Sequence, residues 1–450
     1  MTSYAVVGGG ISGLSAAYAL RREAGTDARI TVYDPAETLG GTLQTVRVAG
    51  HSVDVGAEAF VARRPEVPAL LAELGMADAQ IGTTGARPLV YAGGCLHPLP
   101  AGTVNGIPTS AESLAGLVDD ASLARVAAEP SRRIAWRPGA DPAVADVVGE
   151  RFGAQVVARS VDPFLAGVYA GSAATIGLRS AVPGVAAALD NGAPSLTDAA
   201  RAALPPVTGA TVFGAVDGGY RRLVDELTRQ SGAQRVQTAV TRLHHDGEGW
   251  HLEAADGSGR RADAVVLAVP APALVSLIAD IAPTAAAAAG SVPVASSVVV
   301  ALALPRATSV PEQSGVLVAH GEALHAKAIT LSTRKWGRPG DVELLRLSFG
   351  RFGDDVATTV SDDELVSWAV DDLAAVFGIT ADPVDVHVAR WIDAMPQYGP
   401  GHRELVEQIR ASLPRTLTVA GNYLDGIGVP ACIATGAAAA EKLVAAIVAR

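Results

Sequence analysis

The sequence predicts an α/β protein built on a Rossmann-like dinucleotide-binding domain, and three observations carry that prediction. A short β-like run, Tyr4 to Val7, leads directly into a glycine turn. The turn is spaced Gly8-x-Gly10-x-x-Gly13 and opens an alanine-rich helical stretch, Ser12 to Glu23. A second β-like run, Arg29 to Tyr33, ends on Asp34, 21 residues after Gly13. Each residue type has a physical task there. Gly8 permits the tight turn, Gly10 lets backbone approach a pyrophosphate, and Gly13 lets the helix pack on the strand. The helix N-terminus, including Ile11 and Ser12, offers free N–H groups and the positive end of a dipole. Asp34 is placed to accept a ribose hydroxyl, and its charge disfavours a 2′-phosphate.

Composition bounds the rest. The chain has 450 residues, for which roughly 150 residues per domain suggests about three units. Apolar residues make up 49%, charged residues 18% and aromatic residues 4%, a globular composition that can bury a large core. With 35 basic against 46 acidic residues the net charge is −11, which argues against general nucleic-acid binding. Cys95 and Cys432 are far apart and suggest no disulfide framework, as in a reducing cytosol. No basic leader precedes the first apolar run. The longest apolar run, Ala264 to Ile278, is broken by Pro270 and Pro272 and is too short to span a bilayer. A cytoplasmic protein is expected, with peripheral membrane contact left open.

The first glycine motif leaves NAD and FAD both open. Leu39-Gly40-Gly41-Thr42-Leu43 follows just beyond the second strand. That placement resembles the glutathione-reductase-like and amine-oxidase-like FAD families, which usually follow the glycine pair with Arg or Lys. Thr42 stands in that place here, which removes one expected contact.

Further segments are unusual for their position. Val53 to Phe60 alternates like a strand and bends at Gly56; Asp162 to Gly171 sets rare aromatics between glycines. Phe213 to Tyr220 does likewise, and Ala262 to Pro270 reads as a buried strand ending in a turn. Gly421 to Ile433 precedes a long alanine-rich helix. Together with Thr333 to Trp336 and Asp393 to Tyr398, these segments resemble the FAD-dependent protoporphyrinogen/coproporphyrinogen oxidases of haem biosynthesis, over almost the whole chain. Asp162–Gly171 and Gly421–Ile433 are the discriminating pair.

The resemblance implies an amine-oxidase-like flavoprotein. It has a discontinuous FAD-binding domain (1–75, 210–275 and 395–450) and a mainly helical insertion (90–185). A mixed-sheet substrate domain takes 76–89, 186–209 and 276–394. It implies noncovalent FAD whose N5 accepts hydride, so no catalytic side chain, nucleophile or metal is required. Carried over by position, the FAD contacts are Gly8, Gly10, Ile11, Ser12 and Gly13 at the pyrophosphate and Asp34 at the ribose. Gly41 and Thr42 match the second glycine motif, and Gly56, Ala57, Glu58 and Ala59 the bend beside the flavin ring. Val240 matches an adenine contact, Trp391 a wall of the flavin site, and Ile427, Gly428 and Val429 the pyrimidine edge. Pro430-Ala431 before Cys432 does not match a covalent flavin attachment.

For substrate, Gly167 matches the glycine over the reacting ring. Some branches carry Arg two residues after the bend glycine. Glu58 replaces it, so the expected carboxylate-binding cations are Arg63 and Arg64, then Arg334 and Lys335. The lost clamp favours the bacterial coproporphyrinogen III branch, an oxygen-dependent six-electron oxidation giving peroxide, over protoporphyrinogen IX. A transient ferrochelatase contact follows from pathway logic. Two readings compete: an FAD-dependent amine oxidase, which needs an aromatic cage, and a non-catalytic flavin- or porphyrin-binding module.

Overall fold

The computed structural model describes residues 2–206, 211–338 and 340–449. Its first layer is a five-stranded parallel sheet, ordered 234–236, 29–33, 3–7, 264–267, 417–419. Strands of such a sheet are buried on both faces, which is why they read as continuous apolar runs. Alternate side chains go to opposite cores. Tyr4 and Val6 pack with Ala16, Leu20, Ala440 and Leu443 on one face. Ala5 and Val7 pack with Trp250, Leu252, Leu274 and Ile409 on the other.

The first of those cores lies beneath two helices, Ile11–Ala24 and Val429–Val448, that touch through small residues. A Cβ added to Gly436 would lie 2.2 Å from the Ser12 carbonyl oxygen, so glycine is what lets the helices approach. Val429–Val448 is long and apolar enough to cross a membrane, with a mean hydropathy of 1.6. Here it is a packed helix of the nucleotide-side core, with Ala439, Ala440 and Leu443 buried.

A seven-stranded sheet forms the second unit, ordered 385–396, 294–305, 342–349, 328–331, 315–318, 89–92, 95–98. It is antiparallel except where 315–318 runs parallel to 89–92. The Val294–Pro305 strand has unlike faces. Val298, Val300, Leu302 and Leu304 pack with Leu365, Ala369 and Leu373 of the Asp362–Phe377 helix. Ala301 and Ala303 instead accept the Thr45–Val48/His51–Asp54 hairpin through Val48, Val53 and Val55. That contact brings the chain after Asp54, the Gly56 bend, to the junction of the two sheets.

The third unit is helical, with Val126, Val148, Phe152, Leu165, Leu178, Val185, Leu189 and Leu196 in one core. Glu129 is buried inside it, bonded to Arg151 Nε at 2.7 Å. Its carboxylate also accepts the Leu196 and Thr197 N–H groups, at 2.9 and 3.0 Å. An anion thus meets the unpaired N–H groups that begin the Leu196–Ala203 helix. A π-turn, Val157–Val161, precedes the Asp162–Tyr169 helix; such turns are rare and concentrate at functional sites.

The packing redraws the expected domain boundaries. Residues 186–203 belong to the helical core, not to the substrate sheet. Residues 276–290 join the nucleotide-side core through Leu277, Ile278, Ala285 and Ala289. The 89–98 hairpin joins the seven-stranded sheet, not the helical insertion. Which core an apolar face joins is a tertiary outcome that linear composition does not carry. The expected junction at 209/210 lies outside the described residues.

Candidate active site

Steric necessity explains the first glycine turn. Gly8 has φ +106° and its N–H donates to the Tyr33 carbonyl at 2.8 Å. A Cβ on Gly8 would sit 2.2 Å from the Ala268 carbonyl oxygen, and one on Gly13 1.9 Å from that of Gly8. Gly10 differs: a Cβ there would meet nothing nearer than the Gly41 Cα at 4.0 Å. The space beside Gly10 is open between two glycine turns, held together by the Gly40 N–H bond to the Gly9 carbonyl at 2.8 Å. Gly10 is the N-cap of the Ile11–Ala24 helix and no side chain caps it, so Ile11, Ser12 and Gly13 present N–H groups there.

Asp34 has a second task that spacing alone did not reveal. Its carboxylate accepts the Gly9 N–H at 2.6 Å and the Ala36 N–H at 2.8 Å. It therefore shapes the turn, and its remaining lone pairs are what a ribose could use. Gly9 itself was missed. A Cβ there would lie 2.4 Å from Leu39 and 3.1 Å from Asp34, and the unbroken run Gly8-Gly9-Gly10 was the available signal.

The second glycine pair and the bend are interlocked. Thr42 contributes its carbonyl, which accepts the Ala57 N–H at 3.2 Å and would be 1.8 Å from a Cβ on Gly56. Trp391 closes the other side: its Nε1 donates to the Val55 carbonyl at 2.9 Å, and its ring faces Gly56. Gly56, Ala57, Glu58 and Ala59 all remain partly exposed along this edge. Val240 points its side chain into the core beside Trp250, which leaves only its backbone for a ligand.

Glu58 is an ion-cluster residue. Its carboxylate accepts from Lys335 Nζ at 2.7 Å and Ser332 Oγ at 2.9 Å, and Arg346 Nη1 lies 3.2 Å away. Burial alone would raise its pKa, but Lys335 and then Arg346 hold it well below the usual carboxylate range. Arg346 Nη2 also donates to the Gly56 carbonyl at 2.8 Å, which ties the cluster to the bend. One anion thus sits between two cations behind the Gly56–Ala59 backbone, with the Asp54 carboxyl also close enough to act on Arg346.

That cluster revises the expected substrate cations. Lys335 is committed to Glu58. Arg334 donates to the Val310 and Pro311 carbonyls and lies 3.6 Å from Glu343, so it too is occupied. Arg64 pairs with Glu66. Arg63 is exposed. Gly167 and Val168 form an exposed face of the Asp162–Tyr169 helix, Val168 being 51% exposed. A Cβ on Gly167 would meet only the Leu317 side chain, at an ordinary 3.4 Å.

The C-terminal segment completes the site. Gly428 is the N-cap of Val429–Val448, again without a side-chain cap, and Pro430 lies in the first turn. This second positive helix end follows Ile427, which packs against the helical unit containing Tyr169 and Tyr398. Cys432 is buried and its thiol is pushed up to about 11 by burial, so it stays protonated and unreactive.

The arrangement fits FAD. Two uncapped helix starts, an open space at Gly10 and the partly exposed Gly56–Ala59 edge suit a pyrophosphate and a flat ring. Comparison with known proteins agrees. A family model described as flavin containing amine oxidoreductase matches residues 11–444. The chain is 61% identical over 445 residues to a coproporphyrinogen III oxidase of Mycobacterium tuberculosis, covering 99% of this chain and 98% of that one. It is 28% identical to the coproporphyrinogen III oxidase of Bacillus subtilis, over 96% of each chain. A solved structure from Exiguobacterium sp. 255-15, provisionally assigned as a protoporphyrinogen oxidase, superposes with a TM-score of 0.89 at 26% identity, over 99% of each chain. Cyclohexylamine oxidase from Brevibacterium oxydans shares the fold, with a TM-score of 0.73 at 17% identity over the full length of both chains. Glycine turns, bend and helix starts thus sit in the order of a known flavoprotein scaffold, and the chain belongs to the flavin-containing amine oxidoreductase family, with FAD as its cofactor.

Proposed function

We propose that this protein oxidises coproporphyrinogen III to coproporphyrin III in haem biosynthesis, with oxygen as the final acceptor. One substrate and three oxygen molecules would give one porphyrin and three hydrogen peroxide. The observation that carries the reading is the 61% identity, across nearly the whole of both chains, to proteins named for that activity. Bound FAD, held noncovalently, supplies the two-electron acceptor. The chain's own residues bind and orient. The Ile11 and Val429 helix starts face negative charge with free N–H groups, and Trp391 and Thr42 fix the Gly56 bend. The Lys335 and Arg346 cations of the Glu58 cluster sit behind that bend, and Arg346 holds its Gly56 carbonyl in place.

The amine-oxidase alternative needs aromatic faces bracketing an amine. Tyr423 is wholly buried, and Tyr398 is buried and stacked on His402 at 3.9 Å. Neither offers a face to a cleft. A cytoplasmic location and passing contact with a ferrochelatase complete the reading. The test compares turnover of coproporphyrinogen III and protoporphyrinogen IX by porphyrin fluorescence, with peroxide counted. We expect preference for the former and three peroxides per porphyrin. A tenfold preference for the latter, about 1.4 kcal/mol, would overturn the substrate assignment.

A further inference from the structure

Two cations at the end of the Val342–Phe349 strand have no part in the site described so far. Lys327 is buried, and its Nζ donates to Ser297 Oγ at 2.7 Å and to the Phe349 and Gly350 carbonyls, each at 2.6 Å. All three partners are neutral. Burial, and then the neighbouring Arg351 charge, push the Lys327 pKa down to about 7. Arg351 is half-buried, and its guanidinium makes one hydrogen bond, from Nη2 to the Val318 carbonyl at 3.3 Å. Among the described residues no carboxylate lies within ion-pairing distance of either side chain; Asp162 and Asp354 act on Arg351 only at longer range. A chain with a net charge of −11 has acids to spare, yet gives neither side chain a direct ion pair among the described residues.

The surroundings say what the pair faces. Val318 follows Leu317, whose side chain is the nearest neighbour of the Gly167 face. The next residue after Arg351, Phe352, donates its N–H to the Ala170 carbonyl at 2.6 Å, at the end of the Asp162–Tyr169 helix. Arg351 therefore lies between the 315–318 strand, which its guanidinium bonds, and the end of the Asp162–Tyr169 helix, which its neighbour Phe352 bonds. Its backbone is held as well. Its N–H donates to Asp354 Oδ2 at 2.6 Å, and Gly350 takes φ +81° with its carbonyl on Lys327. A planar guanidinium with most of its donors free, held rigidly beside an apolar face, suits bidentate recognition of a carboxylate.

We propose that Arg351 receives a propionate of the porphyrin substrate and that Lys327 is the positioning residue beneath it. This rests on the proposed function and goes further by naming the anchor, a role that Arg334, Lys335 and Arg64 have no free charge to fill. Lys327 holds the two carbonyls that set the strand end from which Arg351 projects, and so acts through Arg351.

The experiment uses FAD-loaded protein and two ligands, coproporphyrin III and its uncharged tetramethyl ester, with binding read by fluorescence. Arg351→Ala should weaken coproporphyrin III binding and raise the KM for coproporphyrinogen III by about tenfold or more, with kcat and FAD content retained. Binding of the ester should not change, and Arg351→Lys should recover part of the loss. Lys327→Met should act in the same direction, and the double variant should bind no worse than Arg351→Ala alone, since the two act as one unit. Coproporphyrin affinity within twofold of the parent in Arg351→Ala would overturn the proposal, as would equal losses for acid and ester. Additive losses in the double variant would overturn the positioning role of Lys327. Failure of the parent protein to oxidise coproporphyrinogen III would instead sink the underlying function, whatever the variants did.

Discussion

The nucleotide-side half and the substrate-side half are built from different materials. Around Gly8, Gly10, Gly13 and Gly56 the determinants are missing side chains and backbone groups, set by neighbours close in sequence and by Ala268 and Trp391 from far along the chain. Around Glu58, Lys335, Arg346, Lys327 and Arg351 they are charges on long side chains, brought together from distant segments. The first half gains its specificity by steric exclusion, which has no graded response to a small change. The second gains it by charge balance, which does.

The largest expected effect breaks the steric half. Gly13→Ala forces a Cβ to within 1.9 Å of the Gly8 carbonyl oxygen, so the helix must move off the turn. Purified protein should lose most of its flavin, seen as lost visible absorbance; retention of full FAD content would show that the turn can give way. Next is Glu58→Gln, which leaves Lys335 and Arg346 without their anion. Breaking a buried pair from one side costs about 3 kcal/mol or more, and thermal unfolding should show it. The pH dependence checks the sign. Glu58 has a depressed folded pKa, so its stabilisation is present above the ordinary carboxylate range and is lost as pH falls through and below it. The parent should therefore lose stability on acidification more steeply than Glu58→Gln.

Gly167→Ala separates structure from recognition. The protein has room for the methyl group, so stability and FAD content should hold while kcat/KM for coproporphyrinogen III falls about tenfold, roughly 1.4 kcal/mol. Unchanged turnover would remove Gly167 from the substrate surface. The smallest effect belongs to Asp54, whose pKa is raised to about 6 by burial, despite hydrogen bonds from Thr45 Oγ1 and the Tyr220 N–H. A raised carboxyl favours the folded state at low pH and loses that advantage as pH climbs towards 6. Asp54→Asn keeps both acceptor contacts on Oδ1, so it should stabilise the protein by about 1 kcal/mol at neutral pH and not below pH 4. Equal effects at both pH values would point to packing as the cause.

Legibility followed the same division. The strand–turn–helix–strand unit could be read because its motif residues lie within Tyr4 to Asp34, although Ala268 closes on Gly8 from outside, and the Asp162–Gly171 and Gly421–Ile433 segments carried the family. Which basic side chains are left without an acid could not. Arg334 and Lys335 look available in sequence, next to Trp336, but Lys335 meets Glu58 from 277 residues away. Lys327 and Arg351 gave no signal, since a lone basic residue in or after a strand is ordinary.

Sequence alone determined where the backbone must come close: glycine spacing fixes turns locally, and no distant residue can supply a missing hydrogen for a side chain. It also determined the FAD assignment and the alternating faces of the strands. Only the tertiary structure decided which charges are spent and which remain. An ion's availability depends on every acid that packing brings within a few ångströms, and packing here joins three units whose segments interleave along the chain. The acidic excess visible in the composition is unevenly distributed, with Glu58 ion-paired to one pair of cations and, among the described residues, Asp162 and Asp354 acting on the other only at longer range.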